Sequence, residues 1–258
     1  MKTVARALLP RRWRLRLWLA YSRLTPGAFR LRRAQPSLRR RLLARVELER
    51  RAAAGSRGGL ARLSGARVIN LRSRPDRLET VKAELARIRL DEVDVFEGIA
   101  HENGLLGCGL SHRACLEQMV ERGWESMLVC EDDVQFLLDR RHLDVLVDAF
   151  LDDPAADVAN LAYFTWSSRP YSRLYLRGLS VQTASCYVVK RRIAEPLLAL
   201  WADSLVRLAA GGDRGRFAHD RVWADLQQRH VFLIPCVRAA RQRSAYSDIQ
   251  QRVVEYGH

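Results

Sequence analysis

Three acids stand side by side at Glu131, Asp132 and Asp133, directly after the apolar or small run Ser126-Met127-Leu128-Val129-Cys130 and before Val134-Gln135-Phe136. Adjacent carboxylates repel one another, and partly desolvated they are costly unless a cation shares the site. Hard divalent ions such as Mg²⁺ and Mn²⁺ take oxygen ligands of this kind. Side chains alternate along extended chain, so Glu131 and Asp133 share one side while Asp132 points the other way. A solvated acidic loop would have the same composition. The apolar strand in front of the triplet favours a site, because open α/β sheets hold their ligands at the carboxyl ends of strands.

A second group is Cys108-Gly109-Leu110-Ser111-His112-Arg113-Ala114-Cys115. On a helix, positions 108, 112 and 115 fall on one face, and thiol with imidazole suits zinc. Two features argue against a zinc centre. No second Cys/His pair with finger-like spacing is present, and Gly107 and Gly109 predict a helix that begins only near Ser111, which moves Cys108 off that face. On this reading Ser111 caps the helix. His112 then lies in the positively polarised first turn, either beside an anionic ligand or as a hydrogen-bonded structural histidine. The stretch Gly104-Leu105-Leu106-Gly107-Cys108-Gly109 fits neither the P-loop nor the dinucleotide fingerprint. Arg72, Arg74 and Arg77 could reach phosphates or simply be solvated. Asp220, next to His219, either caps a short helix or brings a fourth carboxylate to the acids. The loop Trp166–Tyr171 mixes aromatic and polar groups, which suits sugar contact as well as ordinary loop chemistry.

The elements that must position these residues alternate. A strand at 67–71 precedes a helix opened by Pro75 and running to about Ile88. A short strand near 93–96, a helix from Ser111 to Arg122 ended by Gly123, the acidic strand and a helix near 140–151 follow. Beyond Pro154, strands are expected at 158–166, 180–189 and 231–234, with helices at 191–208 and 220–229. This order predicts a layered α/β domain with a mostly parallel central sheet.

Charge is distributed unevenly. Residues 1–67 hold 19 of the 44 basic side chains and two of the 29 acids, Glu47 and Glu49, a balance of +17 against −2 for the remainder. The chain therefore reads as a basic leader over 1–65, partly helical or disordered, with a helix pattern at 37–54, and a nearly neutral domain over 66–258. The leader has no apolar run of the ~20 residues that a bilayer span needs. Arg11, Arg12, Arg14 and Arg16 interrupt the place where a secretory signal would carry its apolar core. Trp13, Leu15, Leu17, Trp18, Leu19 and Tyr21 among them suit an amphipathic segment on an anionic membrane surface. An unstructured extension or a misassigned start is the other reading, and nucleic acid ranks below both. Five cysteines without a Cys-x-x-Cys pair read as reduced cytosolic thiols.

Several of these pieces together resemble glycosyltransferase family 25, the lipooligosaccharide galactosyltransferases related to the collagen galactosyltransferases. They are Val68-Ile69-Asn70-Leu71 with Arg74-Pro75-Asp76-Arg77-Leu78, then Gly107-Cys108 with Leu110-Ser111-His112, then Leu128 through Val134. Thr183–Val189, Asp220 and the tail Tyr246–Ile249 match more loosely, so the resemblance spans roughly 66–250. It implies a GT-A-like, Rossmann-type nucleotide-sugar-binding domain. The implied activity is inverting transfer of a sugar, typically galactose, from a UDP donor to a glycan or lipid-linked hydroxyl, with Mn²⁺ or Mg²⁺. In its terms Asp133 and Asp132 hold the metal, and Asp133, Glu131 and Asp220 carry the chemistry. Asn70, Leu71, Arg74, Arg77, Ser111 and His112 face the donor. Cys130 departs from the bulkier aliphatic residue common in the family, a matter of packing. The implied location is the cytoplasm, peripheral on the inner membrane face. The alternative is a non-catalytic, degenerate transferase-like protein whose leader docks on membrane or nucleic acid. A metal phosphohydrolase would need more His or Asp ligands than the sequence supplies.

Overall fold

The computed structural model describes residues 36–90, 93–247 and 252–254 of the 258. The expected membrane contact of the first 35 residues lies outside them. The described residues belong to one compact unit. In chain order its elements are α1 (Leu38–Ala54), β1 (Gly65–Asn70), α2 (Pro75–Arg87), β2 (Asp94–Glu97), α3 (Gly104–Glu121), β3 (Ser126–Glu131), β4 (Val134–Phe136) and α4 (Arg140–Leu151). Then come β5 (Val158–Asn160), β6 (Phe164–Thr165), β7 (Ser168–Pro170), β8 (Tyr175–Gly178), β9 (Val181–Gln182), β10 (Cys186–Lys190) and α5 (Ala194–Ala209). The last are α6 (Arg214–Phe217), α7 (His219–Val222), β11 (Phe232–Pro235), β12 (Ala240–Gln242), β13 (Ala245–Ser247) and β14 (Arg252–Val254).

Eight strands form the main sheet in the order β2-β1-β3-β10-β5-β11-β8-β7. β1 is parallel to β2 and β3, and β11 is parallel to β5. β10 runs antiparallel to both β3 and β5, and β8 to both β11 and β7. All strands but β10 and β8 therefore point the same way, which is the mostly parallel α/β arrangement expected.

Alternation along the strands divides the core. Val68, Leu128, Cys130 and Val188 pack with α1, α2 and α4 on one face. Ile69, Met127, Val129 and Val189 pack with α3, α5 and the segment from Val222 to Leu226 on the other. β3 is apolar throughout because both of its faces are covered.

Local chemistry sets the helix ends. Pro75 opens α2 at its first turn. Asp139 caps α4 by accepting from the His142 N–H at 3.1 Å. Gly123, at φ +65°, closes α3 in the left-handed region. There the Trp124 N–H reaches Met119 O and the Gly123 N–H reaches Val120 O.

The helix read as part of the leader packs on α4. Ala44 and Leu48 of α1 are buried, and the Leu60 N–H donates to Asp144 Oδ1 at 2.8 Å. Other expected elements also change: the strand expected at 158–166 is β5 and β6, and the helix expected at 220–229 is α7 followed by a 3-10 helix over Trp223–Gln228. The segment 180–189 is two strands, parted at Thr183 with φ +78°. α3 begins at Gly104, seven residues before Ser111. Its glycines serve packing: a Cβ at Gly107 would stand 2.4 Å from Ile99 O, and one at Gly109 2.6 Å from Leu205 Cδ2. Among the described residues no helix is long and apolar enough to cross a membrane.

Candidate functional site

The parallel pairing of β1 with β3 places Ile69 opposite Glu131, so Asn70 and the acidic triplet share one edge of the sheet. Asp132 and Asp133 form the turn into β4. Asp132 is tied on both oxygens: Oδ2 accepts from Asn70 Nδ2 at 2.8 Å and Oδ1 from Arg77 Nη1 at 2.9 Å. Burial lifts its pKa above the ordinary carboxylate value, with Arg77 and Asn70 pulling against it. The residues read as donor-facing at 70 and 77 are thus gathered around this acid. Arg74 pairs with Asp76. Leu71 packs near Gly98, whose Cβ would lie 3.3 Å from Leu71 Cδ2.

Asp133 is held differently. Gln242 Nε2 donates to Oδ2 at 2.9 Å, and the Arg243 N–H donates to the backbone carbonyl at 2.7 Å. Oδ1 is buried with no hydrogen-bond partner among the described residues. Burial, and then the charge of Glu131, push this carboxyl up to about 8. A buried oxygen without a partner is costly, and a carboxylate oxygen is a donor atom that a hard cation takes.

Glu131 closes β3 with its N–H on Ser185 O at 2.9 Å. Its Oε1 meets His112 Nε2 at 3.1 Å and Cys108 Sγ at 3.7 Å. Burial raises it to about 7, with His219 acting in the opposite sense. His112 is fully buried, its Nδ1 lies 3.1 Å from the Tyr187 hydroxyl, and burial pushes it down to about 4. His219 stacks on His112 with ring centroids 4.6 Å apart, and burial also depresses it to about 4. Neither ring nitrogen of His219 has a hydrogen-bond partner among the described residues. Asp220 follows, accepting at Oδ2 from the Thr183 N–H at 3.1 Å. That bond holds a β-branched residue at positive φ, the kind of local strain that collects at functional sites.

Ser111 is not a cap. It lies inside α3, where its hydroxyl donates to Gly107 O and accepts from the Ile99 N–H, both at 2.8 Å. With α3 starting at Gly104, Cys108 and His112 occupy one face after all. Cys108, His112, Glu131 and His219 each offer one ligand atom, and all four atoms lie within 4.8 Å of one another. A Cys/His metal group was not expected from the spacing, because two of these ligands come from β3 and α7 rather than from a second Cys/His pair.

Tyr187, Thr183, His219 and Gln242 are the site residues that sequence reasoning missed. His219 could have been found through its place beside Asp220. Gln242 carries no local signal at all.

The family described as glycosyltransferase family 25 (LPS biosynthesis protein) matches residues 102–194, which contain α3, β3, the acidic triplet at its end, and β10. No curated protein matches the chain in sequence. Among solved structures, similar folds include a mannose-1-phosphate geranyltransferase from Thermus thermophilus, with 13% identity, 69% of this chain and 74% of that one covered, and a TM-score of 0.41. A glycosyltransferase involved in the glycosylation of the major capsid of PBCV-1 follows at 14% identity, covering 54% and 65%, with a TM-score of 0.36. A cytidylyltransferase from Leptospira borgpetersenii serovar Hardjo-bovis shares 14% identity over 75% and 66%, with a TM-score of 0.34. Likeness of that degree extends to neither substrate nor residue roles. The sequence match does bear on the site: across residues 102–194, the stretch that carries the acidic triplet, the chain is similar to glycosyltransferase family 25.

Proposed function

We propose that the protein is a metal-dependent glycosyltransferase that moves a sugar, with galactose in first place, from a UDP donor to a glycan or lipid-linked hydroxyl with inversion. The observation that carries this reading is the buried Oδ1 of Asp133, without a hydrogen-bond partner among the described residues, at the carboxyl end of β3 and within the segment that matches family 25. The sheet edge formed by the acid-tipped strand beside β1 is in keeping with a GT-A-like domain.

The donor set fits a hard cation, with Asp133 holding it through the oxygen that has no partner among the described residues. Asp132 has both oxygens engaged and serves instead to fix Asn70 and Arg77. Mn²⁺ or Mg²⁺ bound there would neutralise the charge that develops on the departing diphosphate. Arg77, anchored by Asp132, and Arg74, at the start of α2, supply cationic donors on the diphosphate side. Asn70 and Leu71 shape the floor of that side.

Glu131 is the proton acceptor for the incoming hydroxyl. Its carboxyl, raised to about 7, is matched to taking a proton near neutral pH. Asp220 ranks second, because its Oδ2 is already engaged by Thr183. The location that goes with a lipid-linked acceptor is the cytoplasmic membrane face, with the basic N-terminal segment on anionic lipid.

The test is a thermal-shift screen of UDP-sugars with and without Mn²⁺. Donor at ~100 times its Kd adds about 2.7 kcal/mol, or roughly 5–10 °C for a domain of this size. The shift should vanish in Asp133→Ala. No shift with any nucleotide sugar refutes the reading and leaves the non-catalytic alternative.

A further inference from the structure

We propose that Cys108, His112, Glu131 and His219 form a second cation site, built for one four-coordinate ion of the zinc class. It differs in chemistry from the oxygen site at Asp133: a thiol, two imidazoles and one carboxylate select a softer transition metal over Mg²⁺ or Mn²⁺.

Three observations carry it. The four ligand atoms already lie within 4.8 Å of one another, whereas tetrahedral zinc with bonds of ~2.0–2.3 Å needs them about 3.5 Å apart. Closing that gap takes a shift of about 1 Å, within the reach of side-chain rotation. His219 is 4% exposed and neither of its ring nitrogens has a hydrogen-bond partner among the described residues, so turning the ring toward an ion breaks no hydrogen bond there and gives one nitrogen a coordination bond. Finally, His112 has the support that metal-bound histidines carry. For Nε2 to present its lone pair, the ring proton must sit on Nδ1, and the Tyr187 oxygen 3.1 Å away accepts it there.

Charge and proton balance agree. Both histidines bind the ion as neutral imidazoles. On binding, Cys108 gives its thiol proton to solvent, and Glu131 gives up any proton it holds. The resulting thiolate and carboxylate together cancel the double charge of the ion. The ion displaces that proton, so binding tightens as pH rises. The approach of α3 depends on Gly109, whose absent side chain lets the helix lie against His219, with a Cβ there 3.4 Å from His219 Cβ.

Four protein donors leave no open position, the mark of a closed rather than a catalytic zinc site. Resting on the proposed function, the consequence is regulatory: an ion held here takes Glu131 away from the acceptor hydroxyl, so zinc would oppose turnover.

The experiment uses the full-length, chelator-stripped protein and Co²⁺ alone as the probe, with Zn²⁺ as competitor. One equivalent of Co²⁺ should give the visible bands of four-coordinate cobalt and a near-ultraviolet thiolate-to-cobalt band, both erased by one equivalent of Zn²⁺. Cys108→Ser should lose the thiolate band, and Cys115→Ser should keep it. Tyr187→Phe should retain the spectrum with affinity lower by roughly 10–100-fold. Far-ultraviolet circular dichroism shows which variants are folded. A spectrum without a thiolate band, or one unchanged in Cys108→Ser, overturns the site. This readout needs no donor or acceptor, so it can fail while the donor-induced thermal shift succeeds, and the reverse.

Discussion

Replacing Asp133 by Asn should make the ion-free protein more stable at alkaline pH while removing its response to divalent cations. Folding lifts the Asp133 carboxyl from 3.8 to about 8 and Glu131 from 4.5 to about 7. Between those limits the folded state holds protons that the unfolded chain has lost, so stability falls with rising pH by about 1.4 kcal/mol per unit for each group. His112 and His219 work in the opposite direction, because folding depresses both from 6.5 to about 4. Below pH 6.5 the two pairs therefore nearly cancel. From pH 6.5 to 8.5 only the acids act, and the wild type should lose about 3 kcal/mol. Asp133→Asn removes the larger part and also the charge that faces Glu131, so its loss over the same range should stay under about 1 kcal/mol. Urea denaturation at the two pH values, with chelator present, measures both. Equal losses in the two proteins would refute the claim that a buried charge at Asp133 opposes folding.

Other perturbations probe the supports of the site. Arg77→Ala leaves Asp132 buried without its cation and should cost about 3 kcal/mol in chemical denaturation, a loss that Asp132→Asn in the same chain should largely reverse. Gly107→Ala drives a methyl group against a backbone carbonyl and should cost about 1–3 kcal/mol by the same measurement, whereas Gly109→Ala overlaps only the movable end of Leu205, reaching His219 at ordinary contact distance, and should cost less. Leu48→Ala should lower stability by about 2–4 kcal/mol, and an unchanged unfolding midpoint would mean that α1 does not belong to the compact unit.

What could be read in advance followed from local chemistry. The apolar run ending in acids is legible because a strand covered on both faces has little other composition available, and α2 and α4 announce themselves through Pro75 and an amphipathic pattern. The start of α3 was not legible, since Gly107 and Gly109 look like breakers until Ile99 and Leu205 are seen to occupy the space of their side chains. The break at Thr183 depends on the bond its N–H donates to Asp220, 37 positions away, which no local rule contains. The direction of β10 is likewise invisible along the chain, although it decides that Ser185 and Tyr187 return to the edge where Glu131 lies. Glu131 and Asp133 were recognisable as chemistry, whereas His219 needed the fold to bring it to Cys108.

The short pairing of β12 with β4 sets the order in which this edge can be completed. Gln242, which steadies Asp133, follows it by 109 positions, so a chain emerging from the ribosome exposes the triplet long before that donor exists. Until then Asp132 has Asn70 and Arg77 at hand but Asp133 lacks its donors, and β4 lacks its only paired neighbour among the described residues. The sheet can register early through β1 and β3, while the acids become a finished site only once the late strand docks. Nascent chains halted before residue 240 should therefore carry a protected β1–β3 core and an unprotected turn at 132–136 in hydrogen exchange.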